Sequence, residues 1–298
     1  MRRAFFLAAM VYFLLAGVLS SHAQQQAPTG PPKILQISRE EIRPDKGPAH
    51  EKEAGHYVQL LAKANSTYYR LALLPITGDE SEVVYLWGFD SFAEVERFAK
   101  DSEKWATETL KADFDQLDKE SEGLHASVRN LLAIYRDDLS FRPTRTSVSQ
   151  ARYMQAVTFR VRPGHDADFA DAVKIVRAAY EKVNLDVHWF VYQISSGAPG
   201  PTFIVFIPRK SLQELDEVVA QSKALQEAEG EENVKKLQRI ASEAYQSVES
   251  RIYRFNPKMS YVSKEFAADD PDFWTPKVKA VKAAPAAKKQ VKEAAAKP

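Results

Sequence analysis

Residues 35–45 read Leu-Gln-Ile-Ser-Arg-Glu-Glu-Ile-Arg-Pro-Asp, and residues 154–164 read Met-Gln-Ala-Val-Thr-Phe-Arg-Val-Arg-Pro-Gly, an offset of 119 residues. Both stretches run apolar-Gln, six residues, Arg-Pro, and then into a helical pattern. Further matches follow in order at nearly the same offset. Lys63 and Asn65 return as Lys182 and Asn184, and Ser91-Phe-Ala-Glu94 as Ser211-Leu-Gln-Glu214. Ser127-Val128, Tyr135-Arg136 and Leu139-Ser140-Phe141 return as Ser247-Val248, Tyr253-Arg254 and Met259-Ser260-Tyr261. One match would be noise, but an ordered series marks one fold written twice.

Each copy has the same pattern of elements. In the first, residues 34–42 form a strand, and a helix follows with Ala54, Tyr57, Val58 and Leu61 on one face. Thr67 to Ile76 and Glu82 to Phe89 are strands joined at Thr77-Gly-Asp-Glu80. Ser91 and Glu94 form a capping box for a helix running on through Leu110, Phe114 and Leu117, and Val128 to Tyr135 is the last strand. In the second copy, a helix spans Asp166 to Asn184, strands span Val187 to Ile194 and Phe203 to Ile207, and Ser211 caps the next helix. Strand, helix, strand, strand, helix, strand is the ferredoxin-like order. The third strand decides the packing. Val83, Tyr85, Trp87 and Phe89 face one way, Val84 and Leu86 the other, so neither face is polar. A sheet apolar on both sides needs a second layer, and the sister copy supplies it. The expected fold is therefore α+β, with two ferredoxin-like repeats, 34–141 and 152–261, packed sheet against sheet.

The flanks read differently. Arg2-Arg3, the apolar run Ala4 to Leu19 and the small-x-small end at Ser21-His-Ala23 form a secretory signal peptide, cleaved after Ala23. The run is shorter than the roughly 20 residues of a spanning helix. Residues 24–33 are a polar, Pro-rich linker, and 142–151 link the repeats. Residues 262–274 form a short packed extension ending at Phe273-Trp274. Residues 275–298 are an Ala, Lys and Pro tail with a disordered composition, whose basic charge offers a contact with an anionic envelope surface.

The run Gln36 to Arg43-Pro44 into a helix, repeated as Gln155 to Arg162-Pro163-Gly164, resembles the opening of domains in the dimeric α/β-barrel superfamily, which includes antibiotic-biosynthesis-monooxygenase-like and NIPSNAP-like domains. The resemblance implies two ferredoxin-like sheets packed face to face into a barrel, built here within one chain. It also implies a ligand cavity between helices and sheet. That superfamily spans haem-degrading and cofactor-free monooxygenases, isomerases, haem peroxidases and domains of no known activity, so it does not set an activity.

Composition excludes several classes. The 298 residues contain no cysteine, which removes disulfides, thiol nucleophiles and thiolate-bound metals. A net charge of +1 gives no electrostatic case for a nucleic-acid partner. No phosphate loop, dinucleotide fingerprint or Ser-His-Asp spacing is present. His50 shares the face of Ala54, Tyr57 and Leu61, so it faces the sheet, either as a functional base, anchor or haem ligand or as a satisfied core histidine. Its partner is expected to be a ligand, a water or Tyr69, and the second copy has Phe169 in its place. His56 lies roughly 240° further around the helix, so the two share no metal there, and no metal site is expected. His188 is expected on one strand face with Phe190 and Tyr192, and His125 and His165 at the surface. Tyr57, Tyr69, Tyr85 and Trp87 are candidates to line the pocket with His50. The expected function is binding of a small apolar or aromatic molecule in the helix–sheet space of the first copy, with no cofactor. The alternatives are a cofactor-independent or haem-using monooxygenase and a structural or partner-binding envelope protein. The oligomeric state is open.

Overall fold

The computed structural model describes residues 30–275. The expected signal peptide, the expected linker up to residue 29 and the tail from residue 276 lie outside the described residues. No helix among the described residues is long and apolar enough to cross a membrane.

In chain order the strands are β1 (Ile34–Ile42), β2 (Arg70–Pro75), β3 (Glu82–Phe89), β4 (His125–Tyr135), β5 (Tyr153–Val161), β6 (Phe190–Ser196), β7 (Thr202–Arg209) and β8 (Tyr245–Phe255). They close into one antiparallel barrel in the order β1-β3-β2-β8-β5-β7-β6-β4. The first four strands form the run β4-β1-β3-β2, and the last four repeat it as β8-β5-β7-β6. Registers correspond as well: Ile34 to Glu41 pair with Phe89 to Glu82, and Tyr153 to Arg160 pair with Arg209 to Thr202.

Closure follows from burial on both faces of the strands. Leu35, Ile37, Val84 and Leu86 from the first half meet Met154, Ala156, Phe190, Ile204 and Phe206 from the second inside the barrel. The opposite faces carry separate clusters under the helices. One is Tyr85, Trp87 and Phe89 with Ala54 and Leu61; the other is Phe169, Val191 and Phe203 with Val161. Trp87 is thus buried against helices, as the alternation in β3 requires. Leu73 sits fully buried in the interior cluster, and Leu73→Ala is expected to cost about 2–5 kcal/mol by the loss of packing and the void left behind. Chemical denaturation measures this directly.

The helices α1 (Gly47–Lys63), α2 (Phe92–Lys104), α3 (Lys111–Ser121), α5 (Asp166–Val183), α6 (Gln213–Ala220), α7 (Ser222–Glu229) and α8 (Glu231–Glu243) lie on the outside, while the short α4 (Arg145–Ser149), α9 (Lys264–Ala268) and α10 (Pro271–Trp274) pack against the interior cluster. Ser91 caps α2 as expected: its Oγ accepts the Glu94 N–H, and the Glu94 carboxylate accepts the Asp90 N–H. Several local expectations differ, among them the start of β4 at His125 rather than Val128. The helix after Ser91 does not run through to Leu117, because a π-helical turn, Trp105–Thr109, separates α2 from α3. Ser211 does not cap α6, which starts after Leu212, and only the second half of the box forms, in which Glu214 Oε1 accepts the Lys210 N–H. The second strand begins at Arg70 rather than Thr67, and the sixth at Phe190 rather than Val187. Tertiary bridges hold those stretches instead, Arg70 to Tyr261 and Trp189 to Phe141.

The two halves meet at β2–β8 and β4–β6, and the echo Leu139-Ser-Phe141 and Met259-Ser-Tyr261 serves those seams. Ser260 Oγ accepts the Ala72 N–H at 2.9 Å and donates to the Asn256 carbonyl, while Asn256 N–H donates to the Ala72 carbonyl. Ser140 Oγ does the same with the Val191 N–H and the Arg136 carbonyl, and Arg136 N–H donates to the Val191 carbonyl. Ala72 and Val191 are fully buried, so losing the acceptor strands a backbone N–H. Ser140→Ala and Ser260→Ala are each expected to cost about 1–3 kcal/mol. The two seams share no residue, so the double variant should lose the sum. Urea midpoints of the four proteins check it, and a neutral pair would remove the serines from the account of closure.

Candidate functional site

Three elements of the first half aim one polar side chain each at a common point. Glu40 sits near the end of β1 on the helix side. His50 lies in the first turn of α1, its backbone N–H held by the Lys46 carbonyl, and is 2% exposed. His125 opens β4 beside a register shift at Glu41/Ile42, the kind of irregularity that re-aims a side chain. Glu40 Oε2 is 3.0 Å from His50 Nε2 and 3.2 Å from His125 Nε2, and the imidazoles meet edge to face at 5.3 Å. The three ligating atoms lie within 4.8 Å of one another. Burial by itself would push the Glu40 carboxyl up; the hydrogen bonds from His125 and His50 and their charge outweigh it and hold it at about 2. The same hydrogen bond raises His125.

More charge surrounds the trio. Tyr85 Oη is 3.4 Å from His50 Nε2, and burial pushes its phenol up. Glu53, raised by burial, accepts a hydrogen bond from Ser121 Oγ. The buried guanidinium of Arg70 lies 4.3 Å from the Tyr85 ring centre, 4.6 Å from Tyr57 and 5.5 Å from Trp87. Its Nη2 donates to the Ala54 carbonyl, and its Nε has no hydrogen-bond partner among the described residues. A buried cation without a bonded carboxylate is costly, and three aromatic faces offset part of that cost.

At the matching places the second half has none of this polarity. The offsets that align the registers place Phe159 at Glu40, Phe169 at His50, Tyr245 at His125, Ala172 at Glu53, Trp189 at Arg70 and Val205 at Tyr85. Phe159, Phe169 and Tyr245 form an aromatic cluster, with Phe159 5.2 Å from each of the other two rings. The same scaffold therefore takes an apolar filling at this place.

Of the expected site residues, the structure brings His50, Tyr57, Tyr85 and Trp87 together under α1. Tyr69 is elsewhere: it is partly exposed and stacked on Tyr261 at 5.5 Å, so His50 is satisfied by Glu40 and Tyr85 instead. His125 belongs to the trio rather than to the open surface, because the start of β4 turns it toward Glu40. His188 precedes β6 and is bound to the Arg142 carbonyl and Asp186, while Phe190 and Tyr192 face the barrel interior. His56 pairs with Glu120 and His165 with Asp168. Glu40, Glu53, Arg70 and His125 were missed. One signal pointed to them: at the repeat offset, each polar residue stands opposite an apolar or aromatic one.

A second feature lies on the other face of the sheet. A cavity of about 370 Å³ opens at one end of the barrel, lined by Leu35, Leu71, Leu86, Met154, Phe190 and Phe206. Residues 30–32, α4 and the segment around α9 border it. Tyr192 Oη donates to the Pro32 carbonyl and fixes the strap. Gly88 lets that strap lie on β3, since a Cβ there would come within 2.9 Å of the Pro32 ring. Among the four aromatic candidates, Tyr69 alone lines this cavity.

No protein-family model matches the chain, and no curated protein matches it. Solved structures with some similarity include a protein from Lactobacillus acidophilus NCFM with a proposed monooxygenase assignment, at 8% identity, TM-score 0.47, covering 76% of this chain and 94% of that one. An anthrone oxidase-like protein aligns at 13% identity, TM-score 0.46, over 80% and 97% of the two chains. A variant of chlorite dismutase from Candidatus Nitrospira defluvii, in complex with cyanide, aligns at 9% identity, TM-score 0.46, over 76% and 92%. At these levels no conclusion about activity passes to this chain.

Proposed function

We propose that this protein binds a small apolar or aromatic molecule, and that the binding place is the cavity at the barrel mouth rather than the space beneath α1. The observation that carries this is the cavity itself. Its volume of about 370 Å³ lies within the range of small-molecule sites, and its lining is chiefly aliphatic and aromatic. Beneath α1, by contrast, Arg70 fills the space among Tyr57, Tyr85 and Trp87. In the same reading the chain is two ferredoxin-like repeats, related by duplication, in the manner of the dimeric α/β barrels. It is exported after removal of residues 1–23.

The test uses naphthol as a flat aromatic probe, followed by fluorescence and thermal shift. Leu86→Trp places an indole in the cavity from the interior face of β3. Wild-type protein should bind the probe, and Leu86→Trp should weaken it at least about tenfold, some 1.4 kcal/mol, with melting little changed. Gly88→Ala should also weaken binding, because it pushes the Pro32 strap off β3. Unchanged affinity in Leu86→Trp would sink the assignment. A Soret band in the purified protein would replace it with the haem-using alternative.

A further inference from the structure

We propose that Glu40, His50 and His125 form a binding site for a divalent first-row transition-metal ion, confined to the first half of the chain.

The first support is geometric. Two imidazole nitrogens and one carboxylate oxygen converge from β1, α1 and β4. Metal–ligand bonds of about 2.0–2.2 Å place neighbouring ligand atoms about 3.0 Å apart at right angles and about 3.4 Å apart in a tetrahedron. The observed 3.0 and 3.2 Å from Glu40 Oε2 to the two nitrogens fall in that interval. An ion can therefore replace the shared protons once the two imidazoles, whose ligating nitrogens lie within 4.8 Å of each other, adjust around it. Two histidines and a carboxylate also leave coordination positions open for water or another ligand.

The second support is independent of distance. Glu40, His50 and His125 are replaced together by Phe159, Phe169 and Tyr245 at the register-matched places of the other half. An aromatic filling is thus compatible with this scaffold. Folding alone therefore does not require a polar trio here, in which His50 is buried and Glu40 and His125 keep 18% and 23% of their side-chain exposure, and the polar set is expected to have a use beyond packing. The surrounding charge is mixed. Glu53 and Glu40 favour a cation, and Arg70 opposes it from within its aromatic box. With no cysteine in the chain, the site offers only nitrogen and oxygen donors. That donor set suits zinc, iron(II), cobalt(II) or manganese(II).

The experiment titrates chelator-stripped full-length protein with Co²⁺ followed by visible absorption, and with Zn²⁺ by calorimetry. Wild type should saturate at one equivalent and gain melting temperature. Glu40→Gln and His125→Asn, close in shape to the originals, should each lose at least about tenfold in affinity while remaining folded. The triple variant Glu40→Phe, His50→Phe, His125→Tyr copies the second half; it should bind no metal and melt no lower than the stripped wild type. If that variant does not fold, the two single variants decide. No uptake by wild type, or uptake kept in Glu40→Gln and His125→Asn, overturns the proposal.

Discussion

Glu82→Leu is expected to destabilise the protein by about 3 kcal/mol, near the lower end of the range for breaking a buried ion pair. Glu82 points into the barrel opposite the apolar mouth and is nearly buried. Its Oε1 takes the Arg39 guanidinium at 2.6 Å, and its Oε2 accepts from Arg251 at 2.5 Å and from Tyr253 Oη at 3.2 Å. One carboxylate thus ties β1 and β8 to β3 across the seam between halves. Removing it leaves two guanidinium groups facing each other. The estimate stays low because Arg39 and Arg251 keep 25% and 21% of their side-chain exposure and Arg251 also holds Glu249. The melting temperature should fall by roughly 6–12 °C for a protein of this size. Restoring an apolar plug with Arg39→Leu and Arg251→Leu in the same chain should recover much of the loss, since a buried ionic cluster and a packed apolar one are close in free energy. A melting temperature within about 2 °C of wild type for Glu82→Leu alone would show that the cluster closes nothing.

Gly197→Ala is expected to cost about 2–4 kcal/mol, far more than the same change at Gly78. The two glycines occupy matching hairpins, with φ of +94° at Gly78 and +95° at Gly197. Any L-residue is strained there, by about 1–2 kcal/mol. The surroundings separate them. A Cβ on Gly78 would meet the flexible Arg251 side chain at 3.3 Å, which can move aside. A Cβ on Gly197 would lie 2.4 Å from the Asn130 carbonyl oxygen and 3.0 Å from the Leu131 Cα, both backbone of β4. Relief there means opening β4–β6, where Leu132 pairs with Ser196 and Ser195 Oγ donates to the Leu132 carbonyl. Urea denaturation of Gly78→Ala and Gly197→Ala, side by side, measures the difference. Equal losses would mean that φ alone matters and that the seam tolerates displacement.

The first copy's strand β1 and the third strand β3 were read from sequence with their ends intact, because period-two burial is a local signal. The two-sided burial of β3 likewise required a second layer against it. The break of the second helix at Trp105–Thr109 was not legible: the inward-facing residues continue in period through Phe114 and Leu117, and periodicity does not record which hydrogen bonds the backbone makes. Ser211 failed as a cap although Ser91 succeeded, since the same four-residue signature forms only where the chain enters the helix at the right angle. His50 was singled out because a histidine among apolar residues stands out on a helical face. Glu40 and His125 were not, since Glu40 sits in an ordinary strand of mixed charge and His125 is 85 positions away along the chain.

The sequence alone determined the order of strands along the chain and their apolar faces, and it carries the ordered matches near a 119-residue offset, since each is written in residue spacing. Tertiary structure alone decided that Glu40, His50 and His125 meet, that Arg70 fills the space beneath α1, and that the cavity lies at the barrel mouth. Those facts depend on which strand becomes whose neighbour when the barrel closes. The pairing of β4 with β1 brings His125 within 3 to 5 Å of Glu40, 85 positions away along the chain, and no local pattern carries that distance.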